Sequence, residues 1–531
     1  MPAIVPGVEI STQPQDKMNR ESRREATPQT SSGRINSASL EWKERNFGWK
    51  GSEPQVCIHP FDYKFHELIL GSGPFERYNI ARNHLRFYNN VGMTASYEID
   101  TRILCKHGLD ALTFAALRRM IDHHPAMSVS IEDEDSTNPS WVRLPVIDLK
   151  RVVRIHTIRE GDADTSFRDI IEAAHRVPFE ELGDLPLWFV VLIQHPTTSS
   201  GGQITSETQT IDVGFFWHHG FGDGVSGVAF HLDFLDALND LGKTEVPLPV
   251  ETLVIPPKLD LLPSLEEAHA LPLSIFFLIK QAFKMILPRA SDKLLWTGNP
   301  LCSENNITNL RTLFLPADSL MSLLSLCQEN KVTFTSLLIV VIARVLATVY
   351  PSFGRFRGKT AISFRRFTGT DNRAMVNYTS SINHIFSSHP KMGSIHCGGD
   401  FSWDAVRACC KEIKAATASP KNHGIALLKY LNDYSSFLRS QIGTKRIDSF
   451  EVSNIGVVDG GFDDERNMAR VKRVLFSQSS NVMAPAYVFS VATAKGGDLG
   501  IALTWQQGIV DTESVDRVLV ALSEELRSII P

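Results

Sequence analysis

The chain of 531 residues is 43% hydrophobic and 21% charged, which supplies large apolar cores and excludes a fibrous or wholly disordered protein. Single hydrophobic cores stop growing at about 250 to 300 residues, so two domains of comparable size are expected. The formal net charge is -5 and the basic residues are scattered, so no basic face is offered to a phosphate backbone and nucleic acid is not expected as a partner.

The seven cysteines, Cys57, Cys105, Cys302, Cys327, Cys397, Cys409 and Cys410, have no C-x-x-C spacing, and no apolar signal segment opens the sequence. A reducing, cytoplasmic setting without a metal site is therefore expected. No apolar run reaches the about 18 residues that a membrane-spanning helix needs, so a soluble or peripheral protein is expected; the protein is also expected to be a monomer.

Residues 1–55 are rich in Ser, Thr, Gln, Arg and Pro without periodicity and read as a disordered tail, in which Arg20, Arg23 and Arg24 form a solvated cluster. Residues 56–245 read as a first α/β half. Thr94–Ile99 predicts a strand and Leu109–His123 a helix that Pro125 stops. Strands follow at Val142–Ile147, Trp188–Gln194 and Ile211–His218, and a helix runs from Gly224 to about Leu238.

Residues 246–300 form a Pro-rich crossover around the apolar stretch Leu271–Leu287. There Phe276, Phe277, Ile279 and Phe283 stand beside Lys280 and Lys284. This suits an amphipathic helix, either lying on a membrane such as the endoplasmic reticulum or a lipid droplet, or packed on the core. Residues 301–531 read as a second α/β half. It holds a strand at Arg311–Leu315, helices from Ser319 and Thr335, a strand Thr360–Phe367 and two helices between Trp403 and Ile442. Strands near Phe450–Ser453, Val474–Ser477, Tyr487–Ala492 and Gly500–Thr504 lead to a last helix from Glu513.

Several fingerprints fail by one residue. Gly242-Lys243-Thr244 and Gly358-Lys359-Thr360 end like phosphate loops, but the required first glycine is Ala237 in one and Phe353 in the other. Gly71-Ser72-Gly73 lacks the third glycine of a dinucleotide turn. Ser226 in Gly224-Val225-Ser226-Gly227 is not in the G-x-S-x-G spacing, which argues against a serine hydrolase.

The segment Phe215-Phe216-Trp217-His218-His219-Gly220-Phe221-Gly222-Asp223-Gly224 ends a hydrophobic strand and opens a helix with the pattern H-H-x-x-x-D-G. Strand alternation puts Val213, Phe215, Trp217 and His219 on one face and His218 on the other, so the two imidazoles have different tasks. A neutral imidazole at a strand end can take a hydroxyl proton and return it to a leaving thiolate, which makes His219 the candidate general base. Asp223 stands where the helix begins and can cap it or pair with a cation; both roles are structural. Gly220, Gly222 and Gly224 keep side chains away from the imidazole and permit tight turns.

This motif resembles the active-site signature of the chloramphenicol acetyltransferase-like superfamily, which includes plant BAHD acyltransferases, peptide condensation domains and fungal alcohol O-acetyltransferases. Residues Phe75 to Arg82, with Tyr88-Asn89-Asn90, Tyr97 and His123-His124-Pro125, are similar to the fungal alcohol O-acetyltransferases in particular. The resemblance implies two α/β sandwich domains with the histidine at their interface, in a tunnel for CoA and acceptor. It implies no bound cofactor, acyl-CoA as co-substrate, His219 as base and a structural Asp223. The arginine that pairs with the aspartate lies in Ile362 to Phe367, where Arg365 is the candidate and Arg366 the alternative. The plant D-F-G-W-G motif is missing; Val452-Ser453-Asn454-Ile455-Gly456 resembles the S-N-x-G strand of fungal and wax-ester relatives. Ser453 or Asn454 is a candidate donor to an oxyanion, or the pair ends a strand. His218 and Gly224 complete the substrate-binding candidates. The implied activity is acetyl transfer from acetyl-CoA to an apolar or secondary-metabolite alcohol. N-acetyl transfer to a long-chain amine or amino alcohol, or a non-catalytic condensation-like protein, is the alternative.

Overall fold

The two largest sheets form where the sequence runs apolar on both faces of a strand, as it does in Trp188–Gln194, Tyr487–Ala494 and Leu499–Gln506. The computed structural model describes residues 67–158, 163–196, 199–200, 203–204, 207–286 and 292–531. The predicted tail, with Arg20, Arg23 and Arg24, lies outside these residues, as does Cys57. The described residues belong to one compact unit, Asp62–Pro531.

The first sheet has five strands in the order Ala469–Gln478, Val91–Asp100, Thr208–Trp217, Trp188–Gln194 and Val153–Thr157. Consecutive aromatics fix the central strand from both sides. Phe215 stacks on Phe230 of the helix Gly224–Gly242 with ring centroids 3.9 Å apart, while Phe216 stacks on Phe189 at 5.1 Å. The period of two thus buries both faces, and the helices Leu109–His123 and Gly224–Gly242 pack together beside it.

The second sheet has seven strands in the order Thr308–Leu315, Leu499–Gln506, Tyr487–Ala494, Phe450–Val458, Arg355–Ser363, Thr379–Ser387 and Ile395–His396. Its core helix, Phe334–Val349, is capped by Thr333 and packs against the helices Trp403–Thr417 and Thr512–Ser528. Among the described residues no single helix is long and apolar enough to cross a membrane.

The strand Ala469–Gln478 crosses the boundary that the sequence suggests. It lies within residues 301–531, yet it pairs with Val91–Asp100 in the first sheet, Ala469 opposite Ile99 and Gln478 opposite Val91. Apolar alternation reports how a strand is buried and not which edge it joins, so this exchange is invisible in one dimension. Other differences are local. The strand predicted over Val142–Ile147 is divided at Pro145, which has no N–H for a ladder, into Ser140–Arg143 and Ile147–Asp148. The strand predicted over Thr360–Phe367 is Arg355–Ser363 followed by a short helix, Arg365–Thr368. The helix Pro74–His84 has no apolar stripe to announce it, because Asn79, Arg82 and Asn83 are among its buried residues.

The five-stranded sheet is the centre of a first lobe and the seven-stranded sheet of a second; in the crossover, Leu265 and Leu271 pack with Phe364, Val376 and Tyr378, tying it to the second lobe. On the helix Ile275–Ile286 Phe276 is 82% exposed and Phe283 58%, while Phe277 and Leu278 are half-buried.

Candidate active site

The strand Thr208–Trp217 ends one residue before His218, and the chain turns through His218 to Asp223 into the helix Gly224–Gly242. Trp217 holds the turn by donating its indole N–H to the Gly222 carbonyl at 3.0 Å. The two histidines diverge although the strand has already ended. His218 is buried in the first lobe against the edge of Phe179, and its Nδ1 accepts the Gly220 N–H at 2.8 Å. Burial pushes its pKa down to about 3. It does not line the cavity described below, and its side-chain hydrogen bond lies within the turn that it shapes.

His219 lines a cavity of about 300 Å³ between the lobes, whose walls include Arg82, Tyr88, Gly224, Lys359, Glu451 and Ser453. Its Nδ1–H donates to the Gly222 carbonyl at 2.9 Å, which fixes the tautomer and leaves the Nε2 lone pair free. The Asn377 amide from the other lobe donates to the His219 carbonyl oxygen, and the Tyr88 ring meets the imidazole edge-on at 5.6 Å. Burial, helped by the nearby Arg82 charge, pushes the His219 pKa down to about 4. The imidazole is therefore neutral and proton-accepting near neutral pH.

Asp223 performs both of the roles weighed for it. As the cap of the helix Gly224–Gly242, Oδ1 accepts the Ser226 N–H at 3.0 Å. The same carboxylate receives Arg365, Nη2 to Oδ1 at 2.8 Å and Nε to Oδ2 at 3.3 Å. Arg365 is the first residue of the short helix rather than part of a strand, and its Nη1 donates to the carbonyls of Asp371 and Ala374. Arg366 is exposed and its Nη1 donates to the Thr417 carbonyl at 3.4 Å. The aspartate has no bond to the imidazole, so its place is to hold the turn and clasp the two lobes.

The glycines serve space rather than left-handed backbone, since none of Gly220, Gly222 and Gly224 has a positive φ. A Cβ on Gly224 would lie 2.5 Å from Ile455 Cγ2, and one on Gly220 would lie 2.7 Å from His218 Nδ1. Gly224 belongs to the cavity wall. In the strand Phe450–Val458, Ser453 faces the cavity whereas Asn454 does not. Asn454 instead donates to Thr335 Oγ1 at 3.0 Å and accepts the Gly456 N–H at 2.9 Å, holding an irregularity in the strand where Gly456 has φ 86°. The strand continues to Val458, so the pair does not end it.

Arg82, Tyr88, Asn377 and the Lys359–Glu451 ion pair at 2.9 Å are site residues that motif reasoning did not select. Arg82 and Tyr88 lie in the segment that carries the fungal resemblance, which was their signal. Asn377 and Glu451 stand in no recognisable spacing.

Comparison with known proteins agrees with this architecture. A family model described as alcohol acetyltransferase matches residues 72–526. A probable alcohol acetyltransferase of Aspergillus fumigatus is 27% identical over 475 residues, covering 85% of this chain and 97% of the relative. Another from Fusarium pseudograminearum is 24% identical over 467 residues, covering 85% and 93%. Among solved structures, the trichothecene 15-O-acetyltransferase of Fusarium sporotrichioides superposes with TM-score 0.59 at 12% identity, covering 87% of this chain and 94% of that one. The first condensation domain of the calcium-dependent antibiotic synthetase superposes with TM-score 0.54 at 14% identity, covering 88% and 97%. These structures share the two-lobed fold. With the family matched over nearly all of the described residues and the histidine turn set between its lobes, the chain belongs to the alcohol acetyltransferase family and is an acetyltransferase.

Proposed function

We propose that the protein moves an acetyl group from acetyl-CoA directly to the hydroxyl of a secondary-metabolite alcohol, with His219 as general base. The observation that carries this reading is the fixed tautomer of His219, whose Nδ1–H is held by Gly222 while Nε2 stands free in a cavity between the lobes. The acceptor oxygen attacks the thioester carbonyl carbon as its proton passes to Nε2. The tetrahedral oxyanion collapses, the C–S bond breaks, and the imidazolium returns the proton to the CoA thiolate. Ser453 supports this step as a hydroxyl donor in the cavity wall, whereas Asn454 is committed to Thr335 and Gly456. Acetyl-CoA acts as co-substrate and no bound cofactor takes part.

The wall also bears on the acceptor. Arg82, Lys359, Glu451, Thr379, Ser380 and Gln478 are poor company for a purely apolar alcohol, and favour one with further polar groups. Incubating purified protein with labelled acetyl-CoA and a panel of alcohols and amines tests the reading. Labelled esters with matching CoA release are expected. Label only in amides, or an acetylated enzyme isolated without acceptor, would overturn it.

We propose in addition that the helix Ile275–Ile286 rests on a cytoplasmic membrane surface. Its support is the exposed row Ile275, Phe276, Ile279 and Phe283 beside exposed Lys280, together with the free thiols of Cys105, Cys302 and Cys327, which suit a reducing compartment.

A further inference from the structure

The cavity beside His219 contains a positive charge that the protein does not neutralise. Arg82, on the helix Pro74–His84, is only 8% exposed and lines the cavity. Its guanidinium lies between two tyrosine rings, 4.8 Å from the Tyr78 centroid and 4.7 Å from that of Tyr88. One donor is filled, Nη2 reaching the Asn79 side-chain oxygen; Nε is buried without a partner. Among the described residues no carboxylate forms an ion pair with it. Glu451, which shares the cavity, is held by Lys359 at 2.9 Å.

A guanidinium out of water is costly unless something pairs with it, and two aromatic faces offset only part of that cost. The unfilled donors therefore point to a ligand. The end of acetyl-CoA that must reach His219 is a thioester on an uncharged pantetheine arm, and the phosphates lie at the other end of that arm. The oxyanion of the tetrahedral intermediate is transient and has the Ser453 hydroxyl in the same wall, so the standing source of an anion beside Arg82 is the acceptor. A planar fork of N–H donors matches a carboxylate, which accepts two parallel bonds.

We propose that Arg82 anchors a carboxylate of the acceptor, so that the substrate class is a hydroxy acid. This rests on the acetyl-transfer reading above and goes beyond it by naming what the acceptor carries besides its hydroxyl. The Tyr88 ring, which touches both the Arg82 guanidinium and the His219 imidazole, then sets the spacing between the anchored carboxylate and the reacting hydroxyl.

The test is binding, so that it stands apart from turnover. The full chain is titrated calorimetrically with 3-phenyllactate and with 3-phenyllactamide, and with phenylacetate and phenylacetamide. Each acid is expected to bind about tenfold or more tightly than its amide, the ratio shrinking as salt is raised. Arg82→Gln should bring the ratio to about one, and Arg82→Lys should keep part of it, with CoA affinity unchanged in both. Acids that bind no better than amides in the wild type, whether both bind or neither does, overturn the proposal without touching acetyl transfer. So does an acid preference that survives in a folded Arg82→Gln, or a loss of CoA affinity there with the acid-to-amide ratio unaltered, which would assign the guanidinium to CoA. Failure of the acetyl-transfer reading is recorded separately, as absence of CoA release with every acceptor.

Discussion

Arg365 Nη2 meets Asp223 Oδ1 at 2.8 Å across 142 residues of sequence, and both side chains are almost wholly buried. The bond joins the turn that carries His219 to the lobe that supplies Asn377. Asp223→Asn leaves Arg365 with carbonyl acceptors but no counter-charge, and breaking such a pair costs about 3 to 5 kcal/mol. Melting temperature and turnover should therefore fall together. An unchanged melting temperature with full activity would show that the pair does not clasp the lobes.

His219→Ala should lose about 10²- to 10⁴-fold in turnover while keeping its fold and CoA binding, because it removes the base and none of the clasp. Double-reciprocal plots for the wild type should intersect, as direct transfer requires; parallel lines would indicate an acetyl-enzyme. His218→Ala should act through stability instead. It strips the acceptor from the buried Gly220 N–H, a loss of about 1 to 3 kcal/mol in such settings.

The pH profile reads the same imidazole. Burial and Arg82 push the His219 pKa down to about 4 from the ordinary 6.5, against the weaker pull of the Gly222 carbonyl, Asp223 and Glu451. Only the neutral form accepts a proton, so kcat/KM should hold down to about pH 4 before its acid limb begins. Arg82→Gln removes a charge that disfavours the imidazolium, so its limb should move upward. A limb near 6.5 in the wild type, or none moved by the substitution, would contradict this account.

Stability should also depend on pH. His175, buried between Asn90 and Ser477, is pushed down to about 3, and His231 to about 4. Folded pKa values below the unfolded 6.5 mean that the unfolded chain binds more protons, so stability is lost as pH falls from about 6.5 towards 4. Glu76, raised to about 7 by burial, opposes this, as do Glu266 and Asp448, whose carboxyls burial also raises. The melting temperature should drop between pH 7 and 5, less steeply in His175→Gln. A flat profile would mean that these imidazoles are already charged in the fold.

The helix Ile275–Ile286 gives a test by flotation with anionic liposomes. Phe276→Ser with Phe283→Ser should release the protein without lowering its melting temperature, because both rings are exposed. Loss of fold would mean that the rings pack on protein, and failure of the parent chain to float would remove the membrane from the picture.

What was legible in one dimension was whatever depends on local periodicity or on contiguous residues. The helix Leu109–His123 and the strand Trp188–Gln194 fall at their predicted bounds, and His219 and Asp223 stand in one contiguous motif. Arg365 was reached through the resemblance of Ile362 to Phe367 to the family's arginine-bearing strand, although the residue sits two positions beyond the end of the strand. The rest waited for tertiary structure. Whether Ser453 or Asn454 faced the cavity turned on the strand's orientation between the lobes, and Asn454's partner Thr335 lies 119 residues away. Arg82 becomes a site residue only because Pro74–His84, a helix without an apolar stripe, is folded against the turn of His219. Its buried charge reads in sequence as an ordinary surface arginine, since burial, absence of a carboxylate and the approach of two tyrosines are properties of three-dimensional packing that no spacing along the chain records.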